Sequence, residues 1–291
     1  MVESIASIDF TYPSCLSELT LGTWIDFTNT CKDVDANFAA IMAKPDTNRK
    51  VIELSANRIE RAYTTLAFFA QKDLSEVKDE YYVEDAVLLY EERIAKIFEV
   101  IPKVEWPYQW NNAAWLLPFP FLTASSTMSF GEFIDSKVLS QNAEALEQSK
   151  WELLQYICAI FLRHIDEPYN EAFVDESNGR YQSMRVLPMH IAVAAMNFFE
   201  ELNKFITENF PLFHESDHKE GAAMKEHFKQ WGWVNFLKSI AKTKVFDIPN
   251  GGMNSIECAR SAKCYEVLIF ASEEKDYNLA AQADMEAMYK K

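Results

Sequence analysis

Leu21-Gly22-Thr23-Trp24-Ile25-Asp26, near the start of the chain, and Phe130-Gly131-Glu132-Phe133-Ile134-Asp135, in its middle, spell nearly the same phrase. Each is followed by a stretch that reads as a buried helix, Ala40-Ile41-Met42-Ala43 and then Ala159-Ile160-Phe161-Leu162. Each is followed later by a helix carrying a phenylalanine pair, Phe68-Phe69 and Phe198-Phe199. An echo at unequal spacing predicts two related helical packing units. Gly22 and Gly131 permit close approach of a second element, and Trp24, Ile25, Phe133 and Ile134 fill a core. Asp26 and Asp135 are expected to end or cap a turn. No base or nucleophile is repeated beside the aspartates, so the phrase reads as packing rather than catalysis.

A chain of 291 residues at 49% hydrophobic and 14% aromatic is long enough to bury one large core or two ordinary ones. Only seven glycines argue against a turn-rich sandwich or barrel and against phosphate-cradling loops. The expected class is therefore mainly α: a multi-helix fold of two loosely repeated helical halves with a short extended N-terminal arm. A net charge of -16 repels phosphate backbones and disfavours direct nucleic-acid recognition, while remaining compatible with a protein that lies near DNA without adhering to it. The five cysteines, Cys15, Cys31, Cys158, Cys258 and Cys264, are scattered without a C-x-x-C pair, which fits a reducing cytosol better than a disulfide framework. Met1-Val2-Glu3-Ser4 opens no secretory signal, and the most apolar stretches, 113–124 and 191–199, are too short to span a bilayer.

Residues 1–17, with Ile5, Ile8, Phe10 and Tyr12 in near alternation before Pro13, read as an arm that docks on a neighbour or folds back on its own domain. Residues 18–105 form an N-terminal helical half. Helices are expected over 33–44 and 49–72, the latter with Ile52, Ile59, Tyr63, Leu66 and Ala70 on its apolar face, and over 80–100. Residues 106–126 form an aromatic, proline-rich bridge, including Trp106, Tyr108, Trp110, Trp115, Phe119 and Phe121, that cannot be a regular helix. Rings this dense must be covered, by the chain itself or by another subunit.

The C-terminal half, 127–291, opens on Ser129 and Glu132, the spacing of a capping box. A buried helix over 150–164, a loop over 166–179 and a central helix over 189–206 headed by Pro188 follow. An amphipathic helix around 231–237 and helices from about Ser255 and Tyr277 complete the half.

One formal motif stands out. His214-Glu215-Ser216-Asp217-His218 matches H-E-x-x-H, in which two histidines one helical turn apart hold zinc and the glutamate works on bound water. Met224 occupies the third-ligand position of the longer motif, and Asp217 and Lys219 place charges where such a helix must pack. A zinc hydrolase built on His214, Glu215 and His218 is the enzyme alternative. His164 and His190 beside apolar runs read as core histidines. Arg58, Arg61, Arg180 and Arg185 are expected to form ion pairs within the acidic chain.

Taken in order, 130–135, Ala159-Ile160-Phe161-Leu162-Arg163, Leu187-Pro188-Met189-His190-Ile191-Ala192, Trp231-Gly232-Trp233 and 265–275 resemble a group of helical proteins encoded among the virion genes of tailed bacteriophages. The likeness covers roughly the last 160 residues, and the turn Asp247-Ile248-Pro249-Asn250-Gly251-Gly252 departs from it. The resemblance implies a non-enzymatic connector or tail component of the virion, made in the host cytoplasm, or a tail-assembly chaperone absent from the finished particle. It implies other copies of the chain and other phage structural proteins as partners, no cofactor and no catalytic residue. The arm and the aromatic bridge supply the interface candidates, Phe10, Tyr12, Trp106, Tyr108, Trp110, Trp115, Phe119 and Phe121.

Overall fold

A computed structural model describes residues 3–5, 8–10, 13–45, 48–80, 82–118, 126–143, 150–164, 167–210, 222–249 and 251–289. The fold is mainly α, as the scarcity of glycine and the helical periodicities predict. The chain divides into two compact units, Met1–Val104 with Arg185–Ala192, and Glu105–Met184 with Val193–Lys291.

In the first unit, β1 (Glu3–Ile5) and β2 (Ile8–Phe10) form a small antiparallel hairpin pairing Glu3 with Phe10. Helices α1 (Leu21–Thr30), α2 (Lys32–Met42), α3 (Asn48–Ala70), α4 (Leu74–Glu80) and α5 (Val83–Leu89) follow. The helix expected over 80–100 is not continuous. α5 runs into a π-helical turn, Tyr90–Ile94, and a 3-10 turn, Ala95–Phe98. Ala86, Leu89, Ile94 and Ile97 are all buried. The five-residue step from Leu89 to Ile94 would rotate Ile94 off the core face of an α-helix, and the wider π turn restores it.

The second unit contains β3 (Tyr108–Trp110), β4 (Ala113–Leu116), α6 (Phe130–Ala143), α7 (Lys150–Phe161), β5 (Arg163–His164) and α8 (Gly179–Ser183). After α9 (Met189–Asn209), which starts among the residues of the first unit, it continues with α10 (Ala222–Thr243), α11 (Ser255–Ser261) and α12 (Cys264–Tyr289). The last helix thus starts at Cys264, not near Tyr277. Residues 108–116 of the aromatic bridge form a hairpin: Asn111 and Asn112, both at positive φ, turn β3 into β4, which also pairs with β5. The capping box at α6 is formed, with the Glu132 amide donating to Ser129 Oγ at 3.2 Å and the Ser129 amide donating to Glu132 Oε2 at 2.6 Å.

The repeated phrase is a repeated structure. In the first unit, Leu21 N–H donates to the Leu187 carbonyl at 2.9 Å and Met189 N–H to the Leu19 carbonyl at 2.7 Å, so the starts of α1 and α9 are bridged through Thr20 and Pro188. A Cβ placed on Gly22 would lie 2.7 Å from the Arg185 carbonyl oxygen, and Arg185 pairs with Asp26 at 2.5 Å. In the second unit, Phe130 N–H donates to the Ala262 carbonyl at 2.8 Å and Cys264 N–H to the Met128 carbonyl at 2.9 Å, bridging the starts of α6 and α12 through Ser129 and Lys263. A Cβ on Gly131 would lie 3.2 Å from the Arg260 carbonyl oxygen, and Arg260 pairs with Asp135 at 2.5 Å.

Arg185, Leu187 and Met189 therefore correspond in space to Arg260, Ala262 and Cys264. Both glycines are where they are because another backbone passes within contact distance. The aspartates do not end or cap turns: each sits one helical turn beyond its glycine and holds the arginine of the segment that passes that glycine.

Two parts of the sequence echo do not correspond. Phe68 and Phe69 pack on Phe27 of α1, at 5.4 and 5.5 Å between ring centroids, whereas Phe198 and Phe199 pack on Phe161 of α7. Opposite α6 stand Trp233 and Phe236 of α10. Ala159 to Leu162 are fully buried, but Ala40, Met42 and Ala43 are exposed and only Ile41 enters the core.

Candidate interaction surface

The charged side chains inside the second unit engage one another. Glu132 is fully buried, with Arg163 Nη1 at 3.3 Å from its Oε1. Burial pushes its carboxyl up to about 6, against the opposing pull of Arg163. Arg163 also donates to the carbonyl and hydroxyl of Thr127, each at 3.0 Å. Arg180 caps the end of α7, donating to the Ala159 carbonyl at 3.0 Å and to the Leu162 carbonyl, and pairs with Glu167 at 2.6 Å. Its guanidinium lies 4.0 Å from the Phe173 ring centroid. Lys137 donates to Asn203, and burial pushes its amine down to about 8.

Burial also raises the thiols of Cys31, Cys158 and Cys264, which keeps them protonated and unreactive. The four arginines read from sequence as intramolecular partners all pair: Arg58 with Glu91, Arg61 with Asp35, Arg180 with Glu167 and Arg185 with Asp26.

The interface candidates read from sequence separate. Trp115 is covered within the chain: it is 7% exposed, donates its indole N–H to the Trp110 carbonyl at 3.1 Å, and packs on Trp110 at 5.2 Å and His164 at 4.0 Å. Trp106, Tyr108 and Trp110 are half-buried in the same region. Phe10 ends β2, while its side chain, and all of Tyr12, Phe119 and Phe121, lie outside the described residues. His214, Glu215 and His218 also lie outside them. Among the described residues, no group of three or more histidine, cysteine, aspartate or glutamate side chains is arranged to hold a metal ion, and no helix is long and apolar enough to cross a membrane.

An apolar groove that sequence reading missed lies in the first unit. Phe38 and Met42 of α2, Val51 and Leu54 of α3 and Tyr90 of the π turn enclose about 600 Å³, with Arg58, Arg61 and Glu91 at the polar edge. Phe38 is 47%, Met42 50% and Val51 60% exposed, and the adjoining Ile52, expected in the core, is 70% exposed. The available signal was the run Ala40-Ile41-Met42-Ala43, apolar on every side of a helix that buries only one of them.

A second uncovered surface is the distal part of α12. Tyr277, Leu279, Met285 and Met288 are all exposed. No family model, curated protein or solved structure matches the chain.

Proposed function

We propose that this chain is a non-enzymatic structural subunit of a tailed-phage particle, a connector or tail ring component that acts through protein–protein contacts. The observation that carries the reading is the pairing of saturated interiors with uncovered apolar surfaces. The buried Glu132 and Arg163 and the half-buried Asp135, Arg180 and Arg260 are engaged in holding helices together, while the groove lined by Phe38, Met42, Val51 and Tyr90 is open to a partner. The order of sequence motifs over the second half supports the phage assignment. The groove also fits the alternative of a tail-assembly chaperone, which would hold an apolar helix of its client there.

Protein composition of purified particles tests the proposal. A structural subunit remains in the particle through purification, and absence from it with abundance in infected cells favours the chaperone.

A further inference from the structure

Lys137 sits half-buried on α6, in the second unit, among groups that carry no negative charge. Its Nζ stands 5.6 Å from the centroid of the Phe133 ring, one turn back on α6, and 5.5 Å from a ring of Trp233 on α10, and it donates to the side-chain oxygen of Asn203 on α9. The titratable group that faces it is the fully buried thiol of Cys264 at the start of α12. The acids of its own helix are engaged elsewhere, Glu132 with Arg163 and Asp135 with Arg260. Among the described residues no carboxylate pairs with Lys137, although acids outnumber bases 44 to 28 in the chain.

An ammonium carries three N–H donors and is strongly hydrated in water. Here one amide oxygen and two ring faces stand in for that hydration. Both kinds of contact favour the cation, but without a carboxylate they recover less than burial removes, and the amine is pushed down to about 8. The neutral amine has a lone pair with which to attack, and a lysine desolvated among apolar groups is an activated nucleophile. The acylated product also suits these surroundings. Its amide keeps one N–H for Asn203, it has lost the charge that the site solvates poorly, and the methyl of an acetyl group meets the rings of Phe133 and Trp233.

We infer that Lys137 is an acylation site of this chain, taking a small acyl group directly from an acyl phosphate. The nitrogen lone pair adds to the acyl carbon and a C–N bond forms. The C–O bond to phosphate breaks, phosphate leaves with that electron pair, and the surplus amine proton passes to it. Nothing is oxidised or reduced. The site is a property of the folded second unit and does not rest on the particle assignment.

At pH 7.5 about a quarter of an amine titrating near 8 is unprotonated, against about 0.1% for one titrating at 10.4, roughly a 200-fold difference. Lower basicity weakens attack, by roughly 15-fold at the slope of about 0.5 that thiols show. Lys137 is therefore expected to react roughly tenfold faster than an ordinary exposed lysine.

The test exposes the purified full-length chain to acetyl phosphate from about pH 6 to 10 and follows acetylation lysine by lysine by peptide mass spectrometry. The exposed Lys32, Lys96 and Lys103 serve as internal references. Lys137 is expected to lead them roughly tenfold at pH 7.5 and to level off just above pH 8, whereas an ordinary lysine goes on rising to about pH 10. Asn203→Asp sets a carboxylate against the amine, holds the ammonium, and is expected to slow Lys137 to the rate of the references. Far-UV circular dichroism matching the unaltered chain establishes that this variant folds, and the pH profile of the unaltered chain decides the matter if it does not. Acetylation of Lys137 no faster than the references, a profile that climbs to pH 10 without levelling, or a folded Asn203→Asp chain that reacts as before would overturn the inference.

Discussion

Replacing Gly22 and Gly131 with alanine separates the two copies of the repeated clasp by a difference the structure fixes in advance. Alanine gains about 1 kcal/mol over glycine inside a helix. At Gly131 the new methyl would lie 3.2 Å from the Arg260 carbonyl oxygen and 3.4 Å from its Cβ, contacts that a few tenths of an ångström relieve. The gain and the strain then nearly cancel, and the net change is within about 0.5 kcal/mol.

At Gly22 the methyl would lie 2.7 Å from the Arg185 carbonyl oxygen and 2.9 Å from its Cβ, so backbone must move. Overpacking of this kind costs about 1–3 kcal/mol. The same displacement stretches the hydrogen bonds from Leu21 to Leu187 and from Met189 to Leu19, at about 1 kcal/mol each. Against the helix gain, the net loss is about 2–4 kcal/mol, roughly a 30- to 800-fold rise in the opened population. Hydrogen exchange resolved to peptides reads this locally. Protection of α1 and residues 185–192 falls by roughly that factor in Gly22→Ala, and protection of α6 and α11 changes little in Gly131→Ala. Equal effects, or a larger loss at Gly131, would refute the argument that backbone proximity is what requires glycine here.

Other outcomes follow from the buried charges and the helix ends. Because the folded Glu132 carboxyl is raised from 4.5 to about 6, its contribution is fully favourable below pH 4.5 and is lost as pH rises through 6, about 2 kcal/mol in all. Urea titrations from pH 4 to 7 should show this component vanish in Glu132→Gln, whereas Glu132→Ala, which leaves Arg163 buried without its carboxylate, should lose about 3–5 kcal/mol. Lys137 has the opposite sense: its folded amine lies near 8 rather than 10.5, so its contribution grows as pH climbs between those values, and Lys137→Met should abolish that rise in alkaline unfolding curves. Gln71 and Lys244, at positive φ just past α3 and α10, occupy the left-handed position that glycine favours. Gln71→Gly and Lys244→Gly should each raise thermal stability by about 1 kcal/mol.

Much of the fold was legible because local rules governed it. The α6 capping box, the helical register of Tyr63 and Leu66 and the breaking of helix by the prolines of the bridge all depend on residues near one another in sequence, and Gly22 and Gly131 announce a close approach by their own lack of a side chain. The second half of the clasp was hidden because Arg185-Val186-Leu187-Pro188-Met189 and Arg260-Ser261-Ala262-Lys263-Cys264 share an arginine and a backbone geometry but little side-chain identity. Carbonyls and amides make the bridge, and they leave no trace in composition. The groove was missed for a different reason. An apolar run looks the same whether its far face is buried by the chain or left for a partner, so Ile52 and Met42 were read as core when they are surface. Likewise, Asp26 and Asp135 find their arginines 159 and 125 residues away, a distance at which periodicity carries no information.

The central claim is that this chain works as a building block, and the copy number per particle measures that directly. Quantitative mass spectrometry of purified particles, referenced to the major shell protein, should return a fixed number of copies greater than one, as a closed ring requires. Particles that lack the chain, or carry it in amounts that vary from one preparation to the next, would contradict the account.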